Sequence, residues 1–268
     1  MFESLPDFPI LLAIGFMVGT FGSLIGAGGG FILVPVLLLL YPEKEAKVIT
    51  AMSLTVVFFN AYSGSWAYAL RGRIDYFSGM LFAVAGIPGA LLGTWIVKML
   101  PRGVFDAVFA ALLFGLGLYL TVQPLRMTSA GMAAGKSATW QSADGRRRSL
   151  IGSIGSAYLG LLSTLLGIGG GILHVPFLIR LLGFSPHVAT ATSHFILAWV
   201  SLVGSLEHYL HGELDGVLAP TAYLALGVMM GAPVGAASSY WLRGPGLIRL
   251  LAVALMLVGA RLIWRLNS

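Results

Sequence analysis

Eight apolar stretches fill most of this chain, at residues 8–41, 46–70, 76–98, 104–123, 149–182, 187–210, 216–241 and 246–266. A helix that crosses a bilayer needs about 20 apolar residues, and six of the eight fit one crossing each. The first and fifth are too long. At ~1.5 Å per residue each would reach ~50 Å as a single helix, against a hydrocarbon core of ~30 Å. Both must be interrupted, and both carry a cluster of the residues that most weaken a helix: LIGAGGGFILVP at 24–35 and LLGIGGGILHVP at 165–176.

Composition agrees with a membrane setting. The chain is 57% hydrophobic and 10% charged, where soluble domains carry about 25% charged residues. The net charge of +6 does not point to nucleic acid. The basic residues are scattered among short loops, with one cluster at Arg146, Arg147 and Arg148, the pattern of cytoplasmic membrane loops against lipid. No basic face interleaved with aromatics exists. The absence of cysteine removes disulfides, thiolate metal sites and thiol catalysis. The start, MFESLPDFPI, has acids where a signal peptide has a basic region, so no cleaved signal is expected.

A polar stretch at 124–148, rich in Gly, Ser and Ala, separates two halves, 1–123 and 149–268, and reads as a flexible linker. The halves repeat each other. Gly26, Gly28, Gly29, Gly30, Val34 and Pro35 match Gly167, Gly169, Gly170, Gly171, Val175 and Pro176. Thr50, Ala51 and Ser53 match Thr190, Ala191 and Ser193; Gly64 matches Gly204; the loop 70–75 matches 210–215; Gly89, Ala90 and Gly93 match Gly231, Ala232 and Gly235. The fold class expected is an all-α polytopic membrane protein of two homologous repeats, each beginning with a glycine-broken helix, with about 8–10 membrane segments. If the broken stretch crosses once, the repeats are parallel, and the linker side holds nine basic residues against seven. If it turns back, the repeats are inverted and the linker side holds ten against six. The positive-inside rule favours the inverted arrangement with a cytoplasmic linker.

Unwound backbone survives at membrane depth only inside protein or along a cavity. A break there frees the N–H groups of Gly28, Gly29, Gly30 and Phe31 in the first half, and of Gly169, Gly170, Gly171 and Ile172 in the second. Together with the positive end of a half-helix they can hold an anion without a charged side chain. Two such ends facing one another is an arrangement secondary transporters use. Small residues in membrane helices otherwise serve packing, the reading for isolated glycines such as Gly115 and Gly117. A dinucleotide fingerprint fits poorly, since no strand precedes the glycines.

The following spans supply polar side chains. Ser53 and Asn60, seven apart, share a helix face, and Ser193 is the mate of Ser53. His194 could donate to an anion or carry a coupling proton. Arg71 and His211 end spans as candidate gate or mouth residues, and Glu207, His208 and His211 cluster near a span end in an interfacial setting. His174 follows the second break, where the first half has Leu33. No acidic residue lies mid-span, which argues against carboxylate sodium sites and a carboxylate proton relay.

The paired Gly-x-Gly-Gly-Gly-x-x-x-Val-Pro stretches, the loops 71–75 and 211–215, and the helices around 88–93 and 231–235 resemble the sulfite exporter TauE/SafE family over nearly the whole chain apart from the linker. The resemblance implies a permease of the bacterial inner membrane that moves sulfite, sulfonates or other sulfur-containing anions, and its name implies export. It adds the sulfur chemistry; the residues themselves indicate only an anion. Four functions fit these features: a secondary transporter working by alternating access, an anion channel of the same architecture, a membrane-embedded enzyme, and a receptor or assembly subunit. No nucleophile-base pair, metal cluster or cofactor lysine supports the enzyme, and no cofactor is expected. Partners are the anion, membrane lipids and candidate coupling protons, with homo-oligomerisation left open.

Overall fold

The computed structural model describes residues 8–122 and 143–238, with Met256, Gly259 and Ala260. The elements are helices: α1 (Phe8–Ile25), α2 (Gly30–Leu40), α3 (Ala46–Ala69), α4 (Tyr76–Met99), α5 (Arg102–Val122), α6 (Ala143–Leu165), α7 (Gly171–Arg180), α8 (Pro186–Leu210) and α9 (Leu218–Ser238). No strand occurs among the described residues. Five helices, α1, α3, α4, α8 and α9, are long and apolar enough to cross a membrane. α2 and α7, of 11 and 10 residues, rise only ~16 Å, about half a hydrocarbon core.

The two over-long stretches are broken at the glycine clusters. The stretch at 246–266 lies almost wholly outside the described residues, as do residues 124–142 of the linker. Residues 143–148 were grouped with that linker, yet they form the first turns of α6. Arginine is a good helix former, so the basic cluster extends the helix instead of ending a loop.

Side-chain contacts sort the helix ends onto two faces. Phe8 at the start of α1 packs edge-on against Tyr223 near the start of α9, with ring centroids 4.9 Å apart. Lys98 near the end of α4 bonds Glu207 near the end of α8. Arg102 at the start of α5 bonds the Lys44 carbonyl, just past α2. These ends define one face. On the opposite face, Arg71 past α3 donates to the Ala236 carbonyl of α9 at 2.7 Å. There too the Asp75 amide, before α4, donates to Thr192 Oγ1 near the start of α8 at 3.1 Å. Arg148 in α6 lies 4.0 Å from where a Gly183 side chain would begin. α1 therefore starts, and α2 ends, on the first face; α6 starts, and α7 ends, on the second. Each broken pair turns back, and the two enter from opposite faces.

Small residues set the packing. A Cβ at Gly231 or Gly235 of α9 would fall on the Phe16 or Thr20 carbonyl of α1. One at Gly89 or Gly93 of α4 would fall on the Ala157 or Leu161 carbonyl of α6. Backbone contact this close is how helices associate where lipid offers no hydrophobic drive. Gly115, read as a packing glycine, is instead exposed, with nothing among the described residues beside it. α3 and α8 lie at the centre, with Ser53, Asn60, Ser193 and His194 fully buried.

Candidate anion site at the paired helix breaks

The local sequence explains each break. α1 closes its last turn with Gly26 N–H donating to Ser23 O at 3.2 Å and Ala27 N–H to Gly22 O at 2.8 Å. α6 ends in the same way, Ile168 N–H donating to Ser163 O at 3.1 Å. The chain then turns through left-handed backbone at Gly28 and Gly29 (φ 77° and 81°) and at Gly169 and Gly170 (φ 78° and 63°). Side-chain-bearing residues lose roughly 1–2 kcal/mol each in that conformation, which is why the clusters are glycine.

The freed amides are fewer than the sequence implies. Gly28 N–H closes onto Gly22 O at 3.3 Å and Gly169 N–H onto Ser163 O at 3.4 Å. Gly171 N–H donates to Gly169 O at 2.8 Å. These three are spent inside the turns. The amides of Gly29, Gly30 and Phe31, and of Gly170 and Ile172, have no acceptor among the described residues. Phe31 and Ile172 are themselves buried.

The two breaks touch. A Cβ at Gly30 would meet the Ile168 carbonyl, and one at Gly171 would lie 2.7–2.8 Å from the Ala27 backbone. The contacts around them are reciprocal. Gly26 faces Thr190 and Gly167 faces Thr50, while Gly28 is closed over by Leu197 and Gly169 by Val57. Those neighbours occupy matching positions of α8 and α3.

Asn60 and Ser53 reach different breaks from one face of α3. Ser53 Oγ donates to the Gly167 carbonyl at 2.6 Å. Asn60 Nδ2 donates to the Gly28 carbonyl at 2.8 Å, so its Oδ1 is the acceptor for Ser23 Oγ at 3.2 Å. Ser23 has one proton and gives it to Asn60. The His194 Nε2 contact at 3.2 Å must then be a donation from the ring to Ser23 Oγ. His194 thus orders Ser23 and Asn60, and its Nε2 is not available to an anion. The second amide hydrogen of Asn60 has no acceptor, and Ser193 Oγ is buried without a partner, among the described residues.

Arg71 and His211 lie apart from this centre. Arg71 is exposed and tied to α9. His211, on the opposite face, contacts the Glu207 carbonyl through Nδ1 at 2.7 Å. His174 Nε2 meets Ser156 Oγ at 3.2 Å, and Ser156 is held by the Phe82 carbonyl at 2.6 Å. Three participants were absent from the sequence reading. Ser23 links His194 to Asn60, Tyr68 donates to the Ser23 carbonyl at 2.7 Å, and Ser163 Oγ is buried beside Gly170 with no partner among the described residues. Ser23 and Ser163 sit seven and eight residues before Gly30 and Gly171, and that nearness was the available signal.

The fold and site define a polytopic helical membrane protein built around two touching broken helices. Comparison with known proteins places it further. The profile of the sulfite exporter TauE/SafE family matches residues 11–262, and the chain belongs to that family of membrane transporters. It is 32% identical to "Probable membrane transporter protein YunE" of Bacillus subtilis (strain 168), across 96% of this chain and 98% of that one. It is 26% identical to "Probable membrane transporter protein MJ0441" of Methanocaldococcus jannaschii, across 85% and 82%. No solved structure matches it.

Proposed function

We propose that this chain is a secondary transporter that moves sulfite, an organosulfonate or a related sulfur oxyanion across the bacterial inner membrane by alternating access. Two inverted repeats rock about the touching breaks, with the 124–148 segment on the cytoplasmic side. The observation that carries the reading is the seating of two half-helix N-termini against each other inside the protein, with the amides of Gly29, Gly30, Phe31, Gly170 and Ile172 unspent. Such ends favour negative charge through the helix dipole and their free donors. Asn60 and Ser193 add one donor each. Several oxygens on a compact oxyanion can accept from such a set. Binding by neutral donors also avoids burying an arginine, so release stays easy.

The reciprocal contacts and the entry of the two broken pairs from opposite faces support the inverted repeats. The family name supports the sulfur chemistry. The test is flux into proteoliposomes, with sulfite, sulfoacetate, thiosulfate and sulfate in competition. Saturable flux of one of these anions, lost in Gly29→Val and Gly170→Val proteins that remain monodisperse, supports the reading. Undiminished flux in both variants removes the breaks from the mechanism, and flux that does not saturate favours a channel.

A further inference from the structure

The end of α8 holds a buried charge cluster that the anion site does not use. Glu207, read as interfacial, is four-fifths buried, and its Oε1 accepts from Lys98 Nζ of α4 at 2.6 Å. Lys98 also lies 3.9 Å from Glu213 Oε1, whose side chain is only 8% exposed. His208 is fully buried and hydrogen bonds Glu213 Oε2 through Nδ1. Glu207 Oε2 and His208 Nε2 have no partner among the described residues.

The charges do not balance. Two carboxylates face one ammonium, and the imidazole of His208 stands against the less satisfied carboxylate. The neighbours do not make up the difference. His211 contacts Glu207 Oε1 at 3.3 Å but is 57% exposed. Asp215 is exposed and adds negative charge. Lys47 of α3 is within electrostatic reach of Glu213, but it is bound to Glu45 at 2.7 Å. Arg102 of α5 is held by Asp106 at 2.9 Å. A buried uncompensated charge is costly, and one further positive charge would balance the cluster.

Position links the cluster to the breaks. Leu197, Ser201, Ser205 and His208 recur at helical spacing along one buried face of α8. Leu197 closes over Gly28, and Ser205 Oγ meets Thr55 Oγ1 of α3 at 2.7 Å. On the other face the matching positions hold Ala67, Tyr68 and Arg73, so the cluster has no counterpart there.

We infer that Lys98, Glu207, His208 and Glu213 form a proton-binding site, present on one membrane face only, whose occupancy is coupled to movement of the anion. This rests on the transporter reading and names its coupling ion. The test uses the full chain in proteoliposomes loaded with the pH dye pyranine. Thiosulfate is the substrate, because its charge is constant across the range where imidazole titrates. Adding it to wild-type vesicles moves protons. In His208→Gln and Glu213→Gln, thiosulfate exchange persists while the proton signal falls at least about tenfold, the scale of a coupling between sites. Lys98→Met leaves both carboxylates without their ammonium, and the pH profile of flux moves. A purely structural role would lower flux in all three variants without moving that profile. Wild-type thiosulfate flux with no proton signal, or an undiminished signal in both glutamine variants, overturns the inference and leaves the transporter reading intact. Absence of flux for sulfite, sulfoacetate, thiosulfate and sulfate alike overturns the transporter reading itself.

Discussion

Asn60 is the residue on which the first break depends. Its amide closes the Gly28 carbonyl and orients Ser23, which in turn receives His194. Asn60→Leu keeps the volume but strands a buried carbonyl and a buried hydroxyl. The expected loss is about 1–3 kcal/mol of stability for such orphaned groups, read as a lowered Tm in detergent, together with loss of anion flux. Gly28→Ala should destabilise for two separable reasons. Its φ of 77° disfavours any side chain, and a Cβ there runs into Leu197. Adding Leu197→Ala removes the collision and leaves roughly 1–2 kcal/mol of backbone strain. Partial recovery of Tm in the double variant is the expected result; full recovery would show that the left-handed backbone costs nothing there.

At the scale of elements, the glycines divide by what they touch. Gly231 of α9 lies against the Phe16 carbonyl of α1, whereas Gly103 of α5 has open space among the described residues. Gly231→Leu should push the two helices apart and abolish a monodisperse species on size exclusion, while Gly103→Ala should leave the protein unchanged. The breaks and the half-helices after them were legible in the sequence, because length against bilayer thickness forces an interruption and glycine marks where. Which amides stay free was not legible. Gly28, Gly169 and Gly171 spend theirs inside the turns, and that depends on how the last turns of α1 and α6 close. The roles of Ser53 and Asn60 were half legible: a shared face followed from their spacing, but their reaching separate breaks depends on where α3 crosses. Lys98 and Glu207 are 109 positions apart, so no local pattern could pair them, and Glu207 and His208 looked interfacial because they stand beside a loop.

For the whole molecule, the turn-back of each broken pair fixes which loops share a side. The chain has no cysteine, so single substitutions report cleanly. Glu43→Cys and Asp215→Cys should react with an impermeant maleimide from one side of the membrane, and Ser185→Cys from the other. The proposed cytoplasmic placement of the linker predicts that Ser185→Cys labels from the cytoplasmic side. Labelling of Glu43→Cys and Ser185→Cys from the same side would mean that the broken stretches cross once.

The bare backbone contact between the two breaks has a mechanical consequence. With Gly30 resting on the Ile168 carbonyl and Gly171 on the Ala27 backbone, no compressible side chain lies between the half-helices to absorb a displacement. They behave as meshed teeth: a shift of one drags the other. In the alternating-access cycle proposed above, such a joint would tie the opening of one path to the closing of the other, and so guard the membrane against leaking its ion gradients.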